Sequence, residues 1–387
     1  MILEYKWVQK AKDRLLFPTL IWIIQLVIAL ITVLMVTKIL PSFQSTTPGY
    51  FWSWDSGWYI GIARGGYEHN HTAPAFFPLF PLLIHLLHKI TGISYEISAT
   101  LISNCAFWLA LIFLYQFILE EYQHEKGKTE LAQRTLWLLI SFPTALFFNC
   151  AYTESLTLLT YVLFFYFLQR DHWYLAMLCG FLSTAIHDLN LLLVIPGMVY
   201  LWNQRNQLSF NRLVIRFFSL AFIPASLALF IIYIMFIFIK SSQFSTFFLA
   251  LTRNHTTNYG VPIYSLFRSL VHIYRHPFPD ANHNIIGIIN GILPMIMVII
   301  GILMVTIYRK RMSLELISFY LVVLIVSITP YTGLLQSYGR YMSVLFPGFI
   351  IWAKLCQKEQ WLLTSIWLML PIKIVLLSLF ANWYWIT

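Results

Sequence analysis

Long apolar runs separated by short polar segments dominate the chain. The first of them contains LIWIIQLVIALITVLMV, residues 20–36, without a charged side chain. A helix needs about 20 mainly apolar residues to cross the hydrocarbon core of a bilayer, and comparable runs recur along the rest of the sequence. The pattern therefore predicts an all-α polytopic membrane protein.

Eleven transmembrane segments are predicted, and two longer stretches stay outside the bilayer. The apolar run at 174–201 is interpreted as two short spans or two re-entrant halves, because His187 and Asp188 interrupt it, and it is counted as two segments. The segments fall near 15–40, 96–119, 134–151, 153–169, 174–201 (two), 213–239, 285–308, 314–332, 341–355 and 361–381. The non-spanning stretches are 41–94 and 241–284. No fixed-period repeat, low-complexity segment or linker is visible, so residues 1–387 are interpreted as one membrane-embedded domain.

Composition supports a membrane protein, and charge predicts its orientation. The chain is 59% hydrophobic and 10% charged, whereas soluble domains carry about 25% charged residues. The net charge of +10 is interpreted as a topology signal and not as nucleic-acid binding, because membrane proteins concentrate Lys and Arg in cytoplasmic loops. With the N-terminus inside, sixteen of the 25 Lys and Arg residues fall on the inner side. They are Lys6, Lys10, Lys12, Arg14, Lys126, Lys128, Arg134, Arg170, Arg205, Arg212, Arg216, Arg309, Lys310, Arg311, Lys354 and Lys358.

Both non-spanning stretches then face the extracytoplasmic side, where an active site is expected. The sequence has no G-x-x-x-x-G-K-[ST] motif, no G-x-G-x-x-G in a soluble βαβ unit and no cytosolic domain. An activated substrate should therefore be borne by the membrane. The short inner loops favour a bacterial plasma (inner) membrane; in a eukaryote the expected location is the endoplasmic reticulum membrane.

The stretch WDSGWYIGIARGG, residues 54–66, predicts a short helix in the first outer stretch. Apolar positions recur at three, four and seven residues after Asp55, which is the spacing of one helical face. Asp55 stands at the start, and the Gly65-Gly66 pair is a helix stop. Asp55 is interpreted either as a helix cap or as a general base for a hydroxyl group.

The aromatic residues of this stretch have two interpretations. Trp54, Trp58 and Tyr59 offer flat apolar faces that suit a sugar ring or an isoprenoid chain. Alternatively, they belong to the aromatic belt at the membrane interface. Further along, Pro74, Pro78 and Pro81 precede a helix of about ten residues that is expected to lie in the interface.

Charged residues beside other predicted segments complete the candidate site. Glu154 lies at the outer end of a segment, where a carboxylate needs a partner or a watery cleft; otherwise it is an acid at a helix start. Arg340 lies between two segments and is a candidate for binding a lipid phosphate through two parallel hydrogen bonds. The alternative is an Arg that snorkels to lipid headgroups. Arg64 and Arg253 are the next phosphate candidates.

No metal or cofactor is predicted. Glu68, His69 and His71 are neighbours on a loop and lack the helical spacing of an H-E-x-x-H site.

Three blocks of sequence carry a resemblance. They are Trp54-Asp55 with Tyr59, Gly66-Tyr67 and the A-F-F-P-L-F-P-L-L run of 75–83; A-Y-x-E-S-L at 151–156; and R-Y at 340–341. Together they resemble the second mannosyltransferase of glycosylphosphatidylinositol anchor synthesis and its bacterial relatives. The 54–83 block is the specific one.

This resemblance implies a multispanning glycosyltransferase of the GT-C fold. It implies a polyprenyl-phosphate sugar as donor, a hydroxyl of a lipid or glycan as acceptor, and a mannosyl group as the sugar transferred. It also implies a functional acidic residue in the first outer loop, which is Asp55 here. The chain departs from the family where an R-P-x-G-like stretch is expected and His187-Asp188-Leu189-Asn190 stands instead, so the acceptor stays open.

Two other classes of function remain as alternatives. A polytopic transporter or lipid flippase would carry ionisable groups near the bilayer midplane, and His187, Asp188 and Lys373 are candidates for such groups. A non-catalytic membrane scaffold predicts that no cleft unites Asp55, Glu154 and Arg340.

Overall fold

The computed structural model describes residues 2–39, 49–67, 73–240, 271, 284–329, 338–384 and 386. These residues form α-helices and short 3-10 helices and contain no β-strand. The α-helices are α1 Ile2–Ile39, α2 Ser56–Gly65, α3 Leu79–Thr91, α4 Tyr95–Glu121, α5 Lys128–Ser141, α6 Glu154–Gln169, α7 Trp173–Thr184, α8 Val194–Gln204, α9 Phe210–Ser219, α10 Phe222–Lys240, α11 Asn284–Thr306, α12 Leu314–Ser327, α13 Tyr338–Ser343, α14 Phe346–Leu355 and α15 Glu359–Ala381. The 3-10 helices are Ala73–Ala75, Pro143–Phe148 and Asp188–Leu193.

Helix length and composition confirm an all-α membrane protein but not the number of spans. Four helical stretches are long and apolar enough to cross a bilayer: Arg14–Ile39, Tyr95–Glu121, Phe210–Ile237 and Glu359–Ala381. The other apolar helices apart from α11 have 10–17 residues, so even the longest reaches about 25 Å, less than a hydrocarbon core of about 30 Å. Helix α11 has 23 residues, a length of about 35 Å. The eleven predicted segments therefore stay a prediction.

The interruption in the long apolar run of 174–201 is confirmed. Helix α7 ends at Thr184, and α8 begins only at Val194. The 3-10 helix Asp188–Leu193 stands between them, with His187 in extended backbone just before it. Irregular backbone of this kind is accepted inside a membrane protein where it is buried in protein or lines a cavity.

Helix α6 lies at the centre of the described core. Most of its residues are buried, and it packs against α4 and α7. Helix α1 packs against α4 and α15, while α14 packs against α5. Aromatic rings fill the space between these helices; the Phe107 and Phe148 rings, for example, stack with centroids 4.4 Å apart.

The first non-spanning stretch contains the two short helices that the sequence predicts. Helix α2 begins directly after Asp55 and ends at Gly65, and Gly66 takes a φ of 73°, which costs glycine little. Helix α3 has 13 residues, a length of about 20 Å, too short to cross a bilayer. Its orientation in the interface stays a prediction.

Candidate active site

The backbone that leads into α2 is held on two sides. The Gly49 amide donates to the Ala381 carbonyl at 2.8 Å, at the C-terminal end of α15. The Ser53 hydroxyl donates to the Phe380 carbonyl at 2.8 Å. On the other side, the Ala151 amide donates to the Phe51 carbonyl at 2.8 Å. These bonds fix the segment between the end of α15 and the turn that precedes α6.

Trp54 has a strained backbone immediately before the candidate base. Its φ is 59°, a left-handed conformation that bulky residues rarely adopt. The indole Nε1 donates to the Tyr384 carbonyl at 3.1 Å, and the ring meets Trp383 edge-on at 6.2 Å. Tertiary contacts thus hold a conformation that costs on the order of 1–3 kcal/mol, as residues at functional sites often do.

Asp55 pairs with Arg340 and does not cap α2. Its side chain makes no capping hydrogen bond. Instead, Arg340 Nη1 donates to Asp55 Oδ2 at 2.7 Å. The interpretation of Asp55 as a helix cap is therefore wrong. The pair joins residues 285 positions apart in the chain.

Arg340 also pairs with Glu154, so one cation joins the two predicted acids. Its Nε lies 2.8 Å from Glu154 Oε1, at the first residue of α6. Arg340 is only 5% exposed, which excludes an Arg that snorkels to headgroups. Burial alone would lower the pKa of Arg340, but the carboxylates of Glu154 and Asp55 hold that pKa well above its ordinary value.

Aromatic faces and backbone bonds immobilise Arg340. Its guanidinium carbon lies 4.9 Å from the Tyr152 ring centroid and 5.5 Å from that of Phe147, within the range of cation–π attraction. The short helix α13 is tied to the core because Thr144 Oγ1 donates to the Gly339 carbonyl at 2.6 Å. The Ser343 hydroxyl donates to the Arg340 carbonyl at 2.6 Å.

Tyr152 organises the site, although its A-Y-x-E-S-L block predicts no separate role for it. Its hydroxyl donates to the Ser53 carbonyl at 3.3 Å and accepts from the Asp55 amide at 3.2 Å. Burial raises the pKa of Tyr152 well above its ordinary value, with the Asp55 charge adding to the effect, so the hydroxyl stays a donor. The A-Y-x-E spacing, two residues before Glu154, is the signal that identifies it.

The cluster contains more acid than base and has unused hydrogen-bonding capacity. With both acids ionised, Asp55, Glu154 and Arg340 sum to a formal charge of −1. Glu154 Oε2 is buried and has no hydrogen-bond partner among the described residues. Arg340 Nε approaches Glu154 Oε1 without hydrogen-bond geometry. A buried polar atom without a partner costs about 1–3 kcal/mol, which a ligand can recover.

A small pocket lies beside the cluster. Glu154, Arg340, His187 and Tyr341 are among its lining residues. It encloses a free volume of about 20 Å³, enough for about one water molecule. Asp55 does not line it. The three predicted residues are thus joined by ion pairs, but only two of them share the pocket, so the scaffold alternative is weakened and not removed.

The predicted aromatic platform is not a set of exposed faces at this pocket. Tyr59 is 4% exposed, and its hydroxyl lies 3.5 Å from Thr153 Oγ1. The Trp58 ring stacks on Phe76 at 5.4 Å. These residues and Trp54 support the backbone around Asp55 and do not line the pocket.

Of the two secondary phosphate candidates, the structure describes Arg64, which does not line the pocket. Arg64 is half exposed, pairs with Glu96 and lies over the Tyr95 ring. It stands at the far end of α2, about 13 Å along the helix axis from Asp55. Arg253 lies outside the described residues.

Neither a metal site among the described residues nor a known family identifies the chemistry of this site. Among the described residues, no group of three or more His, Cys, Asp or Glu side chains is placed to hold a metal ion. Glu68, His69 and His71 lie outside that part of the chain. No protein-family model matches the chain, and no curated protein matches its sequence.

Proposed function

We propose that the protein is an integral-membrane glycosyltransferase of the GT-C type with eleven transmembrane segments. It moves a hexose, specifically mannose, from a polyprenyl-phosphate sugar to a hydroxyl group of a lipid or glycan. The observation that carries the proposal is the contact of Arg340 with both Asp55 and Glu154, at 2.7 and 2.8 Å. Three residues chosen separately from the sequence meet in one buried cluster beside a pocket.

Asp55 is the general base in this proposal. Its Oδ2 accepts from Arg340, and its Oδ1 accepts no hydrogen bond from a described residue. The side chain is 23% exposed, so a substrate hydroxyl can reach it. Asp55 removes the proton of the acceptor hydroxyl as that oxygen attacks the anomeric carbon of the donor, and a positioned base typically contributes 10² to 10⁴-fold.

The leaving group needs no acid. As the new glycosidic bond forms with inversion, the bond from the anomeric carbon to the phosphate oxygen breaks. The electron pair leaves with the polyprenyl phosphate, which is already a stable anion. The proton stays on Asp55 until it is released to solvent.

Arg340 orients the carboxylates and offers its remaining nitrogen, Nη2, to the donor phosphate. Its Nη2 donates to none of the described residues. Because two carboxylates already offset its charge, a phosphate needs a second cation for electrostatic stabilisation. The second outer stretch supplies Arg253 for that role. The active face is extracytoplasmic, in the plasma (inner) membrane of a bacterium.

The test is transfer by the purified protein. Labelled polyprenyl-phosphate mannose, polyprenyl-phosphate glucose and a nucleotide sugar are each supplied with membrane lipid extract, and extracted products are analysed. We expect a new labelled glycoside and free polyprenyl phosphate from a lipid-linked donor, and no product from the nucleotide sugar.

The transporter alternative is tested with the same substrates in proteoliposomes. Movement of intact polyprenyl-phosphate sugar between leaflets, without a new glycosidic bond, would contradict the proposed transfer. Product from the nucleotide sugar alone would contradict the proposed donor.

A further inference from the structure

The irregular segment between α7 and α8 brings His187 to the pocket beside Glu154, and Asp188 pairs with that histidine. The segment is itself fixed by buried polar contacts. Asn190 Nδ2 donates to the Ser183 carbonyl at 2.8 Å, and the Tyr161 hydroxyl donates to Asn190 Oδ1 at 2.5 Å. Because Asn190 is 2% exposed and both ends of its amide are bonded, it anchors the segment and is not available to a ligand.

The His187 ring is held in one orientation. Its Nδ1 lies 2.7 Å from Asp188 Oδ1. The Leu189 amide approaches both atoms, at 2.8 Å for Asp188 Oδ1 and 3.2 Å for His187 Nδ1. We assign the amide to the closer carboxylate, which leaves Nδ1 to donate its own proton to Asp188. A carboxylate at Nδ1 fixes the tautomer in which Nε2 of the neutral ring is an acceptor.

The other ring nitrogen faces Tyr341, the neighbour of Arg340 in the chain. His187 Nε2 lies 3.2 Å from the Tyr341 hydroxyl. The ring also lies nearly parallel to Phe77, at 6.2 Å and 16°, and Phe77 belongs to the outer stretch that follows α2. Three separate parts of the chain therefore position one imidazole nitrogen at the pocket.

The pocket has the size and the chemistry for a single hydroxyl group. Its free volume is about 20 Å³, close to that of one water molecule. Around it stand an acceptor without a partner, Glu154 Oε2, the His187 imidazole and the Tyr341 hydroxyl. A hydroxyl group is both donor and acceptor. It can donate to Glu154 Oε2 and accept from Tyr341, whose single proton turns from His187 Nε2 to the sugar oxygen when the sugar binds.

We propose that Glu154 and Tyr341 bind one ring hydroxyl of the sugar that the protein transfers, with His187, oriented by Asp188, positioning the Tyr341 hydroxyl. This pocket thereby determines which hexose is accepted, because a site built for a hydroxyl discriminates strongly against an analogue that lacks it. The inference rests on the proposed function for the sugar, but it assigns the pocket independently of Asp55.

The test is binding, measured by calorimetry on the purified protein. The probes are short-chain polyprenyl-phosphate mannose and its four monodeoxy analogues. For wild type, we expect one analogue to bind about 10 to 100-fold more weakly, the effect of a lost hydrogen bond to a charged or buried partner. Tyr341→Phe and Asp188→Asn should reduce the loss for that analogue by about 3 to 10-fold, the effect of one neutral hydrogen bond, because the bond to Glu154 remains. The other three ratios should stay unchanged.

Tyr200→Phe is the matched control, since it removes a phenol hydroxyl that bonds Asp171 outside the pocket. It should keep the wild-type pattern. If both pocket variants keep the full wild-type discrimination, or if wild type binds all four analogues equally, the pocket holds water only and the inference is wrong. If no polyprenyl-phosphate hexose binds wild type, the proposed donor is wrong and the inference falls with it.

Discussion

Two buried cations of this membrane protein, Arg340 and Lys373, have opposite surroundings. Arg340 lies between two carboxylates, and one of those acids keeps an oxygen without a partner. Lys373 is 1% exposed and forms no ion pair with a carboxylate among the described residues. Its Nζ donates to the Ile140 carbonyl at 2.7 Å and to Gln25 Oε1.

The polar side chains around Lys373 form hydrogen bonds with one another and with buried carbonyl groups. Gln25 Nε2 donates to Asn149 Oδ1 at 2.7 Å, and Asn149 Nδ2 donates to Asn104 Oδ1 at 2.8 Å. Asn104 Nδ2 in turn donates to the Asn149 backbone carbonyl at 3.1 Å. The network joins α15, α1 and α4 and satisfies its own donors.

The difference that bears on function is in unmet hydrogen-bonding capacity. A fully satisfied polar network rigidifies a core and specifies its packing. A buried carboxylate oxygen without a donor, beside a pocket, has something to gain from a ligand. By this criterion the Arg340 cluster is the functional candidate, and the Lys373 network is structural. The following predictions test that division.

The largest effect is expected from Asp55→Asn. The amide is nearly isosteric and can keep one contact with Arg340, but it cannot accept a proton. Transfer per folded molecule should fall by about 10² to 10⁴-fold, measured as initial rates with the lipid-linked donor. Donor binding by calorimetry should change by much less.

The matched control is Asp171→Asn, the same chemical change in the turn between α6 and α7. It should leave the transfer rate unchanged. Near-normal turnover by Asp55→Asn would remove Asp55 from the chemistry and leave it as a structural partner of Arg340.

Arg340→Gln should cause the second largest effect, on stability. Removal of the cation leaves the Asp55 and Glu154 carboxylates in a buried site without a partner, which typically costs about 3–5 kcal/mol. The free energy of unfolding in mild detergent measures this. Arg340→Lys should cost less but still weaken donor binding, since an ammonium lacks the planar fork of a guanidinium.

A second substitution tests the cause of that loss. Adding Glu154→Gln to Arg340→Gln removes one of the stranded charges and should restore part of the stability. The stability losses of the single variants Arg340→Gln and Glu154→Gln are compared with the loss of the double variant. If the two single losses simply add, Glu154 and Arg340 are not coupled, and the comparison with Lys373 loses its basis.

The sequence predicted the local features of this site better than the tertiary contacts between its residues. The spacing after Asp55 and the Gly65-Gly66 stop predicted α2, since helical periodicity and termination are encoded locally. The break at His187 was visible for the same reason. The contact between Asp55 and Arg340 was not predictable, because no local pattern reports a pairing across 285 positions.

Arg64 and Tyr152 show why sequence position alone is a poor guide to which residues form the site. Arg64 was a candidate because it is close to Asp55 in sequence, but the rise of α2 carries it to the other end of the helix. Tyr152 was overlooked because a tyrosine between apolar runs looks like core. Its role depends on hydroxyl bonds to Ser53 and Asp55, which only the tertiary structure reveals.

Lys373→Met should have a moderate effect, on stability alone. The thioether keeps most of the volume, while Gln25 and the Ile140 carbonyl lose a donor, at a cost of about 1–3 kcal/mol. Transfer per folded molecule should stay within about 3-fold of wild type. Loss of function in a variant that still unfolds cooperatively would place Lys373 in the mechanism and favour the transporter alternative.

The smallest effect is expected from Asp171→Asn. This substitution breaks an exposed ion pair, so its cost in stability can be compared with that of the buried Arg340 cluster. Arg216 donates to Asp171 at 2.6 and 3.1 Å, but the Asp171 side chain is 61% exposed. Asp171 also has a φ of 55°, a conformation that Asn tolerates as well as Asp, so the backbone is not perturbed. Exposed pairs of this kind contribute about 0–1 kcal/mol.

The pKa of Asp171 predicts how the stability difference between wild type and Asp171→Asn depends on pH. The hydrogen bond from Arg216 lowers the pKa of Asp171 below its ordinary value of 3.8, so the folded state holds the ionised acid more strongly than the unfolded chain does. The contribution of Asp171 is therefore present above about pH 4 and is lost as pH falls through the lowered pKa. Unfolding of wild type and Asp171→Asn should differ by less than about 1 kcal/mol at pH 7 and converge as pH falls below the lowered pKa of Asp171. A larger difference, or one that persists in acid, would mean that exposed charge stabilises this protein as much as buried charge, and would undo the distinction drawn between the Arg340 cluster and the rest of the molecule.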